Sequence, residues 1–275
     1  MKLSLSVRVA ESPKRKDITD IPIEHLAPLA KAAGFQALSM RASVVSINSS
    51  PDRIMAVRQL LKRENLDVSM VTGDIPLAAN NANATDAIRN ISPYLNLAEA
   101  LDCRLVRIMT HQESDIIFVQ EAADIAAKRG ITLAHMTHWG TLIETVDDAL
   151  RVVHEVKRQN FGIVYEAANT MVCSEIFDPK ALRLLVPYLV NVMFQNVHKS
   201  PNSPIGFLTN RFGHVGLRYV PLADEAELSA TAMIATLKES SYNGWVTVHQ
   251  PLRDSQTVKE AILEAASLFQ PLIRT

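Results

Sequence analysis

Residues 161–169 read FGIVYEAAN, an apolar run that ends in a carboxylate, Glu166, followed by two alanines and the amide of Asn169. A continuous apolar run of this length is typical of a strand buried on both faces of a parallel sheet. Parallel α/β folds place their chemistry at the carboxyl ends of their strands, where Glu166 falls. A lone acid at a strand end is more often a solvated side chain, so its meaning depends on the rest of the chain.

Strand and helix patterns alternate on both sides of that stretch. The predicted strands are residues 3–9, 35–40, 67–72, 105–109, 131–137, 161–166, 190–197 and 245–248. The predicted helices are residues 23–33, 51–64, 87–101, 116–129, 146–158, 179–189, 226–239 and 258–272. Gly34 and Gly130 follow two of these helices, as is common at helix ends. Two polar connections remain: residues 78–85, with Thr85 and Asp86 as candidate helix caps, and a long loop at 199–219.

Eight strands alternating with eight helices, without a break in composition, predict an α/β fold: a single (β/α)8 barrel domain spanning residues 1–275. The alternative is a doubly wound open sheet. No glycine-rich phosphate loop follows the first predicted strand, and the number of strands suits the length of the chain, so the barrel is favoured.

Composition excludes several classes of protein. A formal charge of −1 without basic clusters argues against a nucleic-acid partner. No apolar run approaches the roughly 20 residues of a membrane span, and the amino terminus lacks a secretory pattern. Cys103 and Cys173 stand alone without CxxC spacing, which argues against a disulfide framework. We therefore expect a cytoplasmic protein with no membrane or nucleic-acid partner.

Polar residues collect at the predicted strand ends. They are Arg8, Arg41, Asp74, Thr110 with His111, His135 or His138, Glu166, Gln195 or His198, and His249. Imidazole is a common metal ligand and an acid or base near neutral pH. Any one of these histidines could be a hydrogen-bonded surface residue, and no compact motif such as HExxH is present. Together with Glu166 they predict a catalytic or metal-binding face.

The order of motifs resembles the xylose-isomerase-like barrels, which include sugar-phosphate isomerases and epimerases, inosose dehydratases and endonuclease IV. The resemblance covers nearly the whole chain. The motifs are AKAAGFQAL, NLAEALDCRLVRI, LAHMTHWG, the strand with Glu166 and Asn169, FQNVHK, and SYNGWVTVHQP. The resemblance implies the barrel fold.

It also implies a divalent metal held by a glutamate, an aspartate, a histidine and a second glutamate on strands five to eight. Those positions correspond here to Met136, Glu166, Gln195 and His249. Only Glu166 keeps the expected chemical type, and a thioether is a poor ligand for magnesium or manganese. Two interpretations follow. In one, the site is rebuilt for manganese, zinc, iron or magnesium. In the other, the metal is absent and the histidines act as acid and base or bind a ligand.

Strand alternation orders the candidates for either interpretation. Glu166 and His249 come first, and His138 is next because it is in phase with Met136. Gln195 and His198 follow. His135 and His198 would be metal ligands only if the register were shifted. The metal candidates are therefore Glu166, His249, Gln195 and His138, and the catalytic candidates are Glu166, His249, His138 and His198.

Six further residues are candidates for substrate binding: Arg8, Arg41, Arg107, Asn169, Lys199 and Trp139. Arginine suits a phosphate or carboxylate, although strand arginines are about as often structural ion-pair partners. The loop that contains Arg211, Phe212 and His214 is long enough to act as a lid or as an oligomer contact.

We expect an isomerase or epimerase that moves a proton next to the carbonyl of a sugar or keto-sugar. A lyase or dehydratase on a sugar or polyol derivative begins with the same step. A barrel without activity, which binds a sugar-like ligand or supports a catalytic partner subunit, is the alternative from another class. The resemblance also implies a homo-oligomer, a dimer or a tetramer.

Overall fold

Eight parallel strands close into a barrel in the computed structural model, which describes residues 1–12, 15–173 and 176–274. The barrel strands are β1 (Lys2–Ser6), β2 (Ala37–Arg41), β3 (Asp67–Thr72), β4 (Leu105–Ile108), β5 (Thr132–Met136), β6 (Phe161–Glu166), β7 (Leu189–Phe194) and β8 (Trp245–Val248). Each strand pairs with its neighbours in the chain, and β8 closes the ring on β1. The predicted α/β barrel is confirmed.

Eight longer helices follow the strands. They are α1 (Ile23–Ala32), α2 (Pro51–Arg63), α3 (Ser92–Ala100), α4 (Ile116–Ala127), α5 (Val146–Val156), α6 (Pro179–Leu185), α7 (Ala230–Glu239) and α8 (Val258–Arg274). Glycine ends α1 as predicted, because Gly34 has a φ of 86° in the left-handed region. None of the helices in the described ranges is long and apolar enough to cross a membrane.

Several predicted elements are shorter than expected, among them the first strand and the helix at 87–101. Strand β1 stops at Ser6, and the 3-10 turn Val7–Ala10 then carries Arg8. The helix predicted at 87–101 is two helices, Asp86–Arg89 and α3. The second begins anew at Ser92 because Pro93 lacks an amide hydrogen and suits only the first turn of a helix.

The prediction of an irregular loop at 199–219 is wrong. Strands Val197–Lys199, Gly206–Thr209 and Gly213–Tyr219 form a three-stranded antiparallel sheet, and we call the last two of them the hairpin. Two glycines in the hairpin occupy positions where a larger residue would be strained or would clash. Gly213 has a φ of 68° at the turn, and a Cβ on Gly216 would lie 2.3 Å from the carbonyl oxygen of Ser200.

A short antiparallel pair, Glu11–Ser12 with Arg15–Thr19, follows β1. We call it the arm. It lies at the carboxyl end of the barrel, where Lys16 donates a hydrogen bond to the carbonyl of Ala78 at 3.3 Å. Ala78 belongs to the short helix Ile75–Ala79 after β3. The arm and the hairpin therefore add walls to the barrel mouth that the strand pattern did not predict.

Candidate active site at the carboxyl ends of the strands

A narrow cleft that is partly open to solvent lies at the carboxyl ends of the barrel strands. We call it the strand-end cleft. Its lining residues are Arg8, Lys16, Arg41, Ala78, Asn80, Arg107, Met136, His138, Trp139, Glu166, Asn169, Gln195, Phe207 and His249. The four positions that the resemblance marked as metal ligands therefore converge in one place.

Glu166 is the last residue of β6 and is fully buried. One carboxyl oxygen, Oε2, accepts a hydrogen bond from the Asn169 side-chain amide at 2.9 Å, one turn along the short helix Ala167–Val172. The other, Oε1, has no partner among the described residues. Burial raises the pKa of Glu166 to about 7, although Arg8 and Arg107 oppose the rise. The carboxyl group can therefore give up or take a proton near neutral pH.

His249 follows β8 and presents one ring nitrogen to the cleft. Its Nδ1 lies 2.9 Å from the Ser6 hydroxyl, and no described residue bonds to Nε2. Burial, followed by the charges of Arg8, Arg41 and Arg107, lowers its pKa well below the usual value. The imidazole is therefore neutral at pH 7, with a nitrogen available to a ligand.

His138 also lines the cleft, but both of its ring nitrogens are engaged. Nδ1 donates to the Trp139 carbonyl at 2.9 Å, so Nε2 accepts from the side-chain amide of Asn80. Burial and the charge of Arg107 lower its pKa, which keeps the ring neutral. Its arrangement suits a residue that holds Asn80 in place better than a free base.

Of the remaining candidates, His135, His198 and Lys199 lie away from the cleft lining. His135 is buried in the wall, where Nδ1 donates to the Met136 carbonyl at 2.8 Å and Nε2 accepts from the amide of Thr110 at 3.0 Å. His198 lies on the sheet outside the barrel, 3.0 Å from an oxygen of Asp224. Lys199, the next residue, is exposed. The strand leaves the barrel at Phe194, so residues 197–199 belong to a different sheet.

Positive charge dominates the cleft. Arg107 is buried and donates to the carbonyl of Leu77 at 2.9 Å and to the Asn80 side chain. Arg41 donates to the carbonyl of Ala78 at 3.2 Å and forms a buried ion pair with Glu11 at 2.6 Å. Lys16 shares the Ala78 carbonyl. The final carbonyls of one short helix thus hold three cations, as expected of unpaired groups at a helix carboxyl end.

Burial and cation repulsion change the acidity of two of these groups. Burial, with the charges of Arg8 and Arg41, lowers the pKa of Lys16 to about 7. Burial and Arg41 lower the pKa of Arg107 to about 9. Burial is the larger cause of both shifts, and repulsion from the neighbouring arginines adds to it.

The donor set does not fit the divalent metal that the resemblance implied. Met136 offers a thioether and Gln195 a neutral amide, so Glu166 is the one carboxylate among the four positions. Among the described residues, no group of three or more His, Cys, Asp and Glu side chains could hold a metal ion. The neighbouring arginines would also repel a dication.

The hairpin covers one side of the cleft. Phe207 stacks on Trp139 with ring centroids 3.7 Å apart. The hairpin turn is tied to the loop after β5, where the backbone amide of Asn210 donates to the Glu144 carboxylate at 2.7 Å. Glu144 is itself buried. Arg211, expected on a lid, forms an ion pair with Asp148 at 2.8 Å.

Sequence reasoning did not single out Lys16, Asn80, Ala78, Phe207 or Glu144. All five lie on connections between strands and helices, and contacts distant in the chain bring them to the barrel mouth. The one available signal was the asparagine-rich segment at 78–85, because asparagine tolerates the left-handed backbone conformation. Asn80 adopts this conformation, with a φ of 53°, and its side chain accepts a hydrogen bond from Arg107.

The chain matches the family model of xylose isomerase-like TIM barrels over residues 27–272. Among curated proteins, no relative matches it significantly. Solved structures show the same fold at low identity. The probable 3-DHS dehydratase from Bacillus anthracis is 16% identical, with a TM-score of 0.71 and 98% of each chain covered. D-psicose 3-epimerase from Clostridium cellulolyticum H10 is 14% identical, with a TM-score of 0.69 and 99% of each chain covered.

A third similar structure is a xylose isomerase-like TIM barrel protein from Mycobacterium smegmatis in complex with magnesium. It is 16% identical to this chain, with a TM-score of 0.69, and the alignment covers 100% of this chain and 96% of the other. At such identities the likeness establishes the fold, and the chemistry depends on the residues in the cleft.

Proposed function

The chain belongs to the xylose isomerase-like TIM barrel family, and we propose that it is an isomerase that moves a proton next to the carbonyl of a small sugar-like substrate. The observation that supports the proposal is the state of Glu166. It is a buried carboxyl with one oxygen that is unpaired among the described residues and a pKa of about 7, and it lines the strand-end cleft together with the neutral His249. A base with a pKa near the working pH is well suited to proton transfer.

In the proposed reaction, Glu166 removes the proton from the carbon next to the carbonyl, and the electron pair moves onto the carbonyl oxygen. His249 faces that oxygen. When the Ser6 hydroxyl donates to Nδ1, Nε2 carries the ring proton and can donate it. Arg8 and Arg107 neutralise the charge that develops. Glu166 then returns its proton to the former carbonyl carbon, and the proton of the adjacent hydroxyl passes to the original carbonyl oxygen, so that the carbonyl now lies on the neighbouring carbon.

A single carboxyl base favours isomerisation over epimerisation. Proton removal and return on one face shifts a carbonyl, whereas inversion at one carbon needs a second proton donor on the opposite face. In this cleft Met136 and His249 stand where the resemblance implies the two glutamates. An epimerase would have to use His249 in that role.

A dehydratase on the same scaffold is the second candidate. Elimination also begins with removal of the proton next to a carbonyl, and it needs one base and one proton donor to the departing hydroxyl. Glu166 can meet both requirements, because the proton that it removes from the carbon can pass to the departing hydroxyl, which leaves as water, while the neutral His249 donates a hydrogen bond to the carbonyl oxygen. One of the similar structures is a probable 3-DHS dehydratase.

The test is deuterium exchange into a panel of ketoses, aldoses, sugar phosphates and sugar acids, followed by proton NMR in D2O. We expect the wild-type chain to exchange the proton next to the carbonyl of at least one substrate. Glu166→Gln should slow this exchange by about 10²–10⁴-fold, the usual contribution of a general base. Glu121→Gln, on the exposed face of α4, is the matched control and should exchange at the wild-type rate.

If no member of the panel exchanges or is converted while a ligand still binds the cleft, the alternative of a binding barrel without activity replaces this proposal. Equal rates in Glu166→Gln and the wild type would exclude Glu166 as the base. Assembly as a dimer or tetramer and a location in the cytoplasm remain predictions.

A further inference from the structure

The strand-end cleft holds more cations than its acids can neutralise. Arg41 has a partner, the buried Glu11, whose pKa is lowered by Arg41 despite its burial. Arg8, Arg107 and Lys16 form no ion pair within the described residues, although Glu11 and Glu166 lie near enough to Arg8 to favour its charge, and Glu166 is the one further carboxyl that lines the cleft. Buried charge that is not paired is costly, so this arrangement calls for a negative charge from outside the chain.

The arginines also have unused donors. The Nε groups of Arg8 and Arg107 are buried and have no hydrogen-bond partner within the described residues. The remaining bonds of Arg8 and Arg107 fix both side chains: Arg8 donates to the Tyr219 hydroxyl at 3.1 Å, and Arg107 to the Leu77 carbonyl at 2.9 Å. A buried donor left unpaired is unfavourable, and a ligand that accepts from it removes this cost.

These donors belong to the side chain that best recognises a planar or tetrahedral anion. A guanidinium presents parallel N–H groups to a carboxylate or a phosphate, and it keeps its charge when buried better than an ammonium does. Lys16 adds an ammonium donor from the arm to the lining of the cleft. Neutral hydroxyl groups would pair with these donors but would leave the charge uncompensated.

We propose that the substrate of this cleft carries a carboxylate or phosphate group, which Arg8, Arg107 and Lys16 bind. The inference deepens the proposed function and rests on it for the identity of the site. The bound anion neutralises the cluster. Arg8 and Arg107 then serve two purposes, since they hold the substrate and lie close enough to Glu166 to influence its charge.

The test is titration calorimetry at constant ionic strength with four probes: inorganic phosphate, glucose 6-phosphate, glucuronate and glucose. We expect at least one of the anionic probes to bind about 10-fold or more tightly than glucose, in keeping with charge-assisted hydrogen bonds. Preference for glucose 6-phosphate over glucuronate identifies phosphate as the group, and the reverse identifies carboxylate.

Variants tie the binding to the cluster. Arg8→Gln should weaken the preferred anion about 10-fold, and Arg8→Lys should give an intermediate loss because it keeps the charge without the planar donors. Arg183→Gln removes an exposed arginine that pairs with Glu239 on the outer surface, and it should bind like the wild type. If Arg8→Gln does not fold, Lys16→Gln provides the same comparison, since Lys16 makes one hydrogen bond to the chain.

Glucose binding as tightly as every anionic probe would overturn the inference, and so would unchanged anion affinity in both Arg8→Gln and Lys16→Gln. These results are separate from those for the reaction. Exchange of neutral sugars without any preference for anions would refute the anion site alone. Tight anion binding without exchange or turnover would refute the proposed reaction alone.

Discussion

Two layers of the barrel interior differ in how their polar groups are satisfied. In the lower layer, Ser4 and Ser69 bond to each other at 2.7 Å across the interior, and Thr247 donates to Asn191 at 2.9 Å. In the upper layer, at the carboxyl ends, Arg8, Arg107, Glu166 and Gln195 each have a buried polar atom without a partner in the described parts of the chain.

The lower layer also has unpaired atoms, on Ser39 and Asn191, but both side chains are neutral. In the upper layer, three of the four side chains are ionisable. A neutral polar atom without a hydrogen-bond partner lowers the stability by a small amount. A buried charged group without a partner lowers it much more, and such a group is retained where a ligand supplies the missing partner. The polar groups of the lower layer therefore have a structural role, whereas those of the upper layer are suited to bind a polar ligand.

The largest effect expected from this contrast is a loss of stability in acid. Burial lowers the pKa of His135 from 6.5 to about 4, and the pKa values of His138 and His249 also fall. Each imidazole is neutral in the folded protein. Its contribution to the free energy of unfolding is therefore complete above pH 6.5 and is lost as the pH falls toward 4. For His135 this amounts to on the order of 3 kcal/mol.

Glu166 acts in the opposite direction. Its raised pKa gives stability that is present below pH 4.5 and is lost as the pH rises through about 7. Three histidines outweigh one carboxyl, so urea unfolding should show a falling free energy of unfolding between pH 6.5 and 4. Glu166→Gln should make the fall steeper. A free energy that is constant over this range would contradict the burial of three neutral imidazoles.

The next effect compares one substitution in each layer at pH 8. Thr247→Val leaves the Asn191 oxygen without its donor and should lower the free energy of unfolding by about 1–3 kcal/mol. Glu166→Gln removes a buried charge and should raise it by about 1–3 kcal/mol. Urea titration of both variants checks the two signs. A loss of stability in Glu166→Gln equal to that in Thr247→Val would remove the distinction between the layers.

The smallest effect concerns the cover of the upper layer. Phe207→Ala removes the ring that stacks on Trp139, and the hairpin remains held by its bond to Glu144. We expect substrate affinity to fall about 2–10-fold, the value of one aromatic contact, with kcat little changed. Leu208→Ala, at the exposed neighbour on the same strand, is the control. Equal affinities in Phe207→Ala and the wild type would mean that the hairpin does not contact the ligand.

Sequence alone predicted the barrel because the spacing of apolar residues within each segment indicates a strand or a helix, as in the apolar run before Glu166. It also predicted the strand-end arginines and His249, since the carboxyl ends of parallel strands must meet. It could not predict Lys16 or Phe207. Each reaches the cleft on an antiparallel connection whose pairing depends on contacts distant in the chain. His198 was placed at the cleft for the same reason, because the pattern did not show where β7 ends.

Metal content and metal dependence test the central claim most directly. The protein would be purified without chelators, its metals measured by mass spectrometry, and its exchange activity compared before and after chelation, with His249→Ala alongside. We predict substoichiometric metal and an activity that chelation leaves within about 2-fold, because the donor set and its arginines disfavour a dication. Near-stoichiometric metal that is lost in His249→Ala, together with activity that returns when the metal is restored, would contradict the account.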